Sequence, residues 1–159
     1  MTLKHITGNL LADLRRHPVL LHGVNVQGAF AAGFAAVLKT AYPECVPIYL
    51  AACAAQTLKP GGIVVYIPPE SVELPRVIHA ATQEFYGRKG RARIDWVRSA
   101  LLASRAYLDE QAITDVAMPR IASGLGGLDW NDQVLPAVTD VFGTWKGTAF
   151  IYTLEQDAV

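Results

Sequence analysis

Cysteine is scarce in this chain of 159 residues: Cys45 and Cys53 are the whole supply. Two thiols cannot build a disulfide framework, and no set of ligands is spaced for a structural metal. A reducing, cytoplasmic setting is the expectation. An excess of one charge is missing too. Fourteen Lys and Arg balance fourteen Asp and Glu, for a formal net charge of +0, which argues against a global electrostatic affinity for nucleic acid or an anionic membrane. No apolar run is clean enough to span a bilayer. The best candidate, residues 19–38, carries His22, Asn25, Gln27 and three glycines, whose polar groups hydrocarbon would leave unpaired. The first nine residues are polar, and the apolar run after them is broken by Asp13, Arg15 and Arg16. No targeting segment is read there, and a soluble protein is expected. The common nucleotide fingerprints are absent as well: there is no G-x-x-x-x-G-K-[ST], and no G-x-G-x-x-G opening a helix after the first strand. A kinase, a P-loop NTPase and a Rossmann dehydrogenase are thereby disfavoured.

What is present is apolar sequence in short, punctuated runs. With 52% hydrophobic and 18% charged residues, the chain can bury a core, and its length suits one domain over 1–159. Strands are expected at 4–7, at 19–24 (VLLHGV, entered through Pro18), at 63–67 (IVVYI), at 77–82, at 115–118 and at 148–152. Helical spacing predicts a helix over 31–42, with Phe34, Val37, Leu38 and Ala41 inward. A second spans 44–56 with Cys45, Ile48, Tyr49 and Ala52 on one face. A third spans 94–110 with Val97, Leu101, Leu102 and Leu108 inward, and a fourth spans 129–142. Strands alternating with helices over crossover-length connections define an α/β domain. Three layers, α/β/α, around a mixed, mostly parallel six-stranded sheet are expected.

In such sheets ligands bind beyond the carboxyl ends of strands. Two loops have that address: 23–33 (GVNVQGAFAAG) and 120–128 (RIASGLGGL). Small residues let backbone N–H groups approach an anion closely. Each loop alone is better explained by tight turns and close helix–sheet packing. Two together suggest an extended, phosphate-bearing ligand.

The order of segments then carries a resemblance. Thr7-Gly8-Asn9-Leu10-Leu11, the stretch from His22 to Gly33, Met118-Pro119-Arg120-Ile121 with Ser123-Gly124-Leu125-Gly126-Gly127-Leu128-Asp129-Trp130, and Phe150-Ile151-Tyr152-Thr153-Leu154 resemble a macro domain. The likeness runs over nearly the whole chain. It points to the branch of the terminal ADP-ribose protein glycohydrolase and the yeast-type ADP-ribose-1″-phosphate phosphatase. The resemblance implies a pocket for ADP-ribose or an ADP-ribosylated macromolecule. Asn9 and Leu10 would lie near adenine, and Asn25, Gly28 and Gly33 around the distal ribose and diphosphate. Ser123, Gly124, Leu125, Gly126 and Gly127 would supply backbone donors, and Leu154 would flank the adenosine. No cofactor or metal is implied.

Departures from that pattern bear on mechanism. Asn9 stands where many macro domains have an aspartate, and Ala31 where a first-loop glycine is usual. Gln83 falls at the lysine nucleophile of the glycohydrolase branch, and Gly126 at its acid/base aspartate. A positioned acid or base contributes ~10²–10⁴-fold, so the lysine-adduct mechanism is not carried over. His22 is the remaining titratable candidate, because the phosphatase-like relatives have a histidine there and imidazole works as an acid or base near neutral pH. Asn25 is the candidate to position a ribose hydroxyl or a water, with Gln27 a weaker one. The competing readings are a hydrogen-bonded core histidine and an asparagine that satisfies its own loop.

Asp129 is expected to cap the helix after it, with Asp132 three residues on. Arg88, Lys89, Arg91 and Arg93 crowd one loop beside Tyr86, as a solvated patch, a phosphate-contacting lid or a surface for RNA ends. Cys45 and Cys53 read as core filler; His5, His17 and His79 have no matching ligand cluster. Three functions are compatible with these residues: an ADP-ribosyl or ADP-ribose-1″-phosphate hydrolase using His22 and Asn25, a non-catalytic ADP-ribose reader, and, less favoured, an RNA- or nucleotide-binding module.

Overall fold

The computed structural model describes residues 2–87 and 91–155. β1 (Leu3–Thr7) leads into a 3-10 segment (Leu10–Arg16) and β2 (Val19–Val24). α1 (Gly33–Ala41), a 3-10 turn (Pro43–Cys45) and α2 (Val46–Ala54) follow, then β3 (Ile63–Tyr66) and β4 (Arg76–Ala81). α3 (Ile94–Glu110), β5 (Asp115–Pro119), a wide turn (Trp130–Val134), α4 (Leu135–Phe142) and β6 (Thr148–Thr153) complete the order. The six strands lie as β1-β6-β5-β2-β4-β3. Every pairing is parallel except β3 with β4.

The sheet is buried on both faces, which is why its strands read as continuous apolar runs rather than alternating ones. Val19 and Leu21 of β2, Ile78 of β4 and Met118 of β5 join Val97, Leu101, Val138 and Phe142 from α3 and α4. Leu20, Val77 and Ala117 turn the other way, toward Leu38, Tyr49, Leu10 and Leu14 of α1, α2 and the 3-10 segment. Each fully buried aliphatic side chain contributes about 1.5–3 kcal/mol. The expected three layers and mostly parallel sheet are what this packing produces.

Several details differ from the sequence reading. β3 is less buried than its unbroken apolar run suggests. Its four residues are half-buried at the sheet edge and antiparallel to β4, because the nine residues from Ile67 to Pro75 are too few for a crossover helix. Val37, Ile48 and Leu102 point outward, exposed by 54%, 39% and 57%. Each directly precedes or follows an inward residue (Leu38, Tyr49, Leu101), and one step along a helix rotates a side chain off the packed face. The helix expected over 129–142 is divided, its first turn widened so that Val134 N donates to Asp129 O at 3.1 Å. Pro136 can neither donate an N–H nor tolerate the carbonyl of residue 132 against its ring.

The 3-10 segment was not foreseen. Asn9 caps it, Oδ1 accepting from Leu11 N at 3.0 Å. His17 ties its far end to the sheet, Nδ1 lying 2.8 Å from Asp115 Oδ1 and Nε2 2.8 Å from Tyr152 Oη. That phenol donates in turn to Asp13 Oδ2 at 2.9 Å, and burial raises it to about 12.

Candidate functional site

Five parallel strands end on one edge of the sheet, at Thr7, Val24, Ala81, Pro119 and Thr153. The loops that follow them gather there. Thr7 pairs with Thr153, and Gly8 N donates to Thr153 O at 2.8 Å, which puts Asn9, Leu10 and Leu154 at one end of the edge. Leu10 is buried in the core, whereas Asn9 and Leu154 are exposed. Since Asn9 Oδ1 already accepts from Leu11 N, its amide presents donors outward.

The first loop is shaped from within. Asn25 Oδ1 accepts from Gln27 N at 2.9 Å and from Ala29 N at 3.2 Å, while Nδ2 donates to Ala29 O at 2.8 Å. This is an Asx-type turn, in which a side-chain amide stands in for backbone partners. The Tyr49 hydroxyl of α2 donates to Asn25 O at 2.8 Å and also lies 3.0 Å from Asn25 Oδ1. Asn25 is 7% exposed, so most of its polar capacity goes into holding this loop. Gln27 is exposed and engages through its backbone N–H. Gly28 and Gly33 adopt φ of 78° and 61°, which side-chain-bearing residues rarely reach. Ala31 lies exposed ahead of α1.

α1 has no side-chain cap, and its first N–H to find a backbone acceptor is that of Ala36, on Ala32 O. Among the described residues, the backbone N–H groups of residues 31–35 donate to nothing. The second loop repeats the pattern. Gly127 N donates to Gly124 O and Leu128 N to Ala122 O, but among the described residues the N–H groups of Ser123, Gly124, Leu125 and Gly126 donate to nothing. The two runs meet: a β-carbon on Gly33 would lie 3.2 Å from Leu125 Cδ1. Aligned, unpaired N–H groups at a helix start and in a glycine loop make an anion site without a cationic side chain.

The second loop is held under strain. Ala122 sits at φ 61°, a conformation costing an L-residue ~1–2 kcal/mol. A β-carbon on Gly126 would come within 2.6 Å of Ala122 O. No carboxylate can therefore stand at 126 in this loop. Ser123 Oγ donates to Arg120 O at 2.9 Å, and Arg120 reaches Thr153 Oγ1 at 3.1 Å and covers the Trp130 ring. Asp129 caps the wide turn, its Oδ1 accepting from Asp132 N at 2.7 Å while Gln133 Oε1 takes its own N–H at 2.9 Å. Gln83 Nε2 donates to Phe85 O at 2.7 Å. Arg88 and Lys89 lie outside the described residues; Arg93 covers the Trp96 ring at 4.7 Å.

His22 lies deeper than a cleft residue. It is 1% exposed on β2, against Phe30 and Phe34. Its Nε2 is 2.8 Å from His79 Nδ1, and His79 Nε2 is 2.8 Å from Cys45 O. A carbonyl only accepts, so His79 donates through Nε2 and accepts through Nδ1, and His22 must donate through Nε2. His22 Nδ1 is then a buried lone pair with no protein partner. Desolvation first, and the neighbouring His79 second, hold His22 well below its ordinary value. Burial brings His79 down to about 4 against the favourable bond to Cys45 O. Tyr49 stacks on His79 at 5.4 Å. Tyr49 and His79 are thus the residues that the sequence reading passed over; a buried tyrosine's need for a hydroxyl partner was the available signal. Cys45 is buried, its thiol pushed up to about 12 by desolvation. Among the described residues no three His, Cys, Asp or Glu side chains cluster as metal ligands, and no helix is long and apolar enough to cross a membrane.

A mostly parallel α/β/α sheet thus carries, at its carboxyl edge, two loops whose unpaired N–H groups suit a phosphate-bearing ligand. Residues 21–135 match the model of the macro domain family, and the chain belongs to that family. It is 27% identical over 130 residues to the DNA ADP-ribosyl glycohydrolase of Thermus aquaticus, covering 80% of this chain but 34% of that protein. The chain thus spans well under half of that relative's length. It is 25% identical over 155 residues to the ADP-ribose 1″-phosphate phosphatase of Meyerozyma guilliermondii, covering 82% of this chain and 89% of that one. The Thermosipho africanus DarTG structure in complex with ADP-ribose superposes with a TM-score of 0.86 at 21% identity, over 100% of this chain and 43% of that one.

Proposed function

We propose that this macro domain binds ADP-ribose, free or attached to a macromolecule, along the carboxyl edge of its sheet. The diphosphate lies between the two runs of unpaired N–H groups, the adenosine toward Asn9, Leu10 and Leu154, and the distal ribose at the loop braced by Asn25. The observation that carries this reading is the pair of N–H runs, at residues 31–35 and at Ser123 to Gly126, joined through Leu125 and Gly33. One run would serve a single phosphate; two facing runs suit a diphosphate. The kinship to proteins named for ADP-ribosyl chemistry supports the same ligand.

The domain holds the group rather than cleaving it by a lysine adduct, since Gln83 carries no nucleophile and Gly126 has no room for a carboxylate. Calorimetric titration with ADP-ribose, with ADP and AMP as controls, is the test. Micromolar binding that depends on the distal ribose is expected. A folded sample that takes up no ADP-ribose would overturn the reading.

One observation favours a second reading, in which the domain dephosphorylates ADP-ribose-1″-phosphate: the near full-length match to a phosphatase. In that case water displaces the 1″-phosphate, giving ADP-ribose and inorganic phosphate, and turnover lost in His22→Ala while binding persists would bring the buried histidine into the reaction. No release by the unaltered protein removes this second reading and leaves the reader.

A further inference from the structure

The segment following the loop after β4 is sewn to the second loop. Ala92 N donates to Gly126 O at 3.0 Å, and Arg93 N donates to Thr82 O at 3.2 Å. Ala92 is 4% exposed, so the segment is seated and its position is fixed by backbone rather than by side chains. Arg91 rides on this strap. A β-carbon built on Gly127 would lie 3.6 Å from Arg91 Cδ and 3.7 Å from its Nε. The stem of Arg91 therefore passes alongside Gly127, immediately beside the run of unpaired N–H groups.

The neighbouring cations are committed elsewhere. Arg93 covers the Trp96 ring, and Arg120 is held by Thr153 and Trp130. Among the described residues Arg91 has no carboxylate partner and no hydrogen bond. Gly127 sits at φ 77°, a conformation that favours glycine, and a β-carbon there would make only ordinary van der Waals contact with the Arg91 stem.

We propose that Arg91 is a phosphate-binding residue of the ADP-ribose site, closing the second loop's side of the cleft with a guanidinium where backbone N–H groups line it. This rests on the function proposed above and adds a specificity element to it. N–H groups alone stabilise an anion by dipoles; a guanidinium adds full charge and a planar fork that matches two phosphate oxygens. The consequence is discrimination by phosphate number, added to the contribution of the distal ribose.

Arg91→Met keeps the length of the stem and removes the charge, and Arg91→Lys restores charge without the fork. Calorimetry of the unaltered protein and both variants with ADP-ribose, ADP and adenosine separates the contributions, and thermal unfolding of each confirms an intact fold. Arg91→Met is expected to weaken ADP-ribose and ADP by roughly tenfold or more and to leave adenosine unchanged. Arg91→Lys should recover part of the loss. Added salt should weaken ligand binding more steeply in the unaltered protein than in Arg91→Met. Equal affinity of Arg91→Met and unaltered protein for ADP-ribose overturns the assignment of Arg91 while leaving the ADP-ribose site standing. An equal loss for adenosine also overturns it, since the residue would then act on loop shape. Failure of the unaltered protein to bind ADP-ribose overturns both.

Discussion

Replacing Tyr49 by Phe isolates one oxygen atom. The ring that stacks on His79 at 5.4 Å stays in place, while the hydroxyl that donates to Asn25 O at 2.8 Å and approaches Asn25 Oδ1 at 3.0 Å disappears. A net hydrogen bond contributes about 0.5–1.5 kcal/mol, and a buried acceptor left without its donor costs about 1–3 kcal/mol. Asn25 Oδ1 keeps Gln27 N and Ala29 N, so its backbone carbonyl is the acceptor abandoned. The expected loss is therefore roughly 2 kcal/mol, or a fall in Tm of about 4–8 °C for a domain of this size. The same oxygen fixes the loop that carries Gly28 and the unpaired N–H groups ahead of α1. Affinity for ADP-ribose should fall as well, by about threefold to tenfold, as the loop must be ordered on binding. Thermal unfolding and calorimetry on one preparation check both numbers. A Tyr49→Phe variant with unchanged Tm and unchanged affinity would refute the claim that α2 holds the first loop through this hydroxyl.

Gly126→Ala forces a methyl group against Ala122 O at 2.6 Å, and should cost about 1–3 kcal/mol together with ADP-ribose binding; unfolding and titration that match the unaltered protein would remove the steric argument. Stability should also depend on pH through the buried histidine pair. Burial lowers His79 from 6.5 to about 4, so the unfolded chain takes up a proton that the native state refuses. Stability is full above about pH 6.5 and is lost as pH falls toward 4, by roughly 3 kcal/mol when the window has been crossed. Denaturant unfolding across that range measures the loss, and His79→Gln should flatten the slope between pH 6.5 and 4; an unchanged slope would place the titration elsewhere.

The strands were legible because β-branched runs bounded by Gly and Pro have few other uses, as in Val19–Val24 behind Pro18. What such runs do not encode is their place in the sheet. Ile63 to Tyr66 reads like any central strand, yet it lies at the edge because the return to β4 is short. Asp129 announced its cap locally, since the cap and its partner are three residues apart. The brace on the first loop did not, because Tyr49 and Asn25 are 24 residues apart and meet only once α2 packs on the sheet. His22 illustrates the same limit. Nothing short of the β2–β4 register, which sets His22 beside His79, tells a cleft imidazole from one that donates into the core.

The contact between Leu125 and Gly33 has a kinetic consequence. It brings the exposed Leu125 side chain close to the start of α1, while an ADP-ribosyl group on a macromolecule has one bulky end that must stay outside. Such a group must enter adenine first, or the Leu125 side chain, 67% exposed, must swing aside. On the function proposed above, Leu125→Gly would open this end of the cleft, and stopped-flow measurement of ligand release should show faster dissociation than from the unaltered protein.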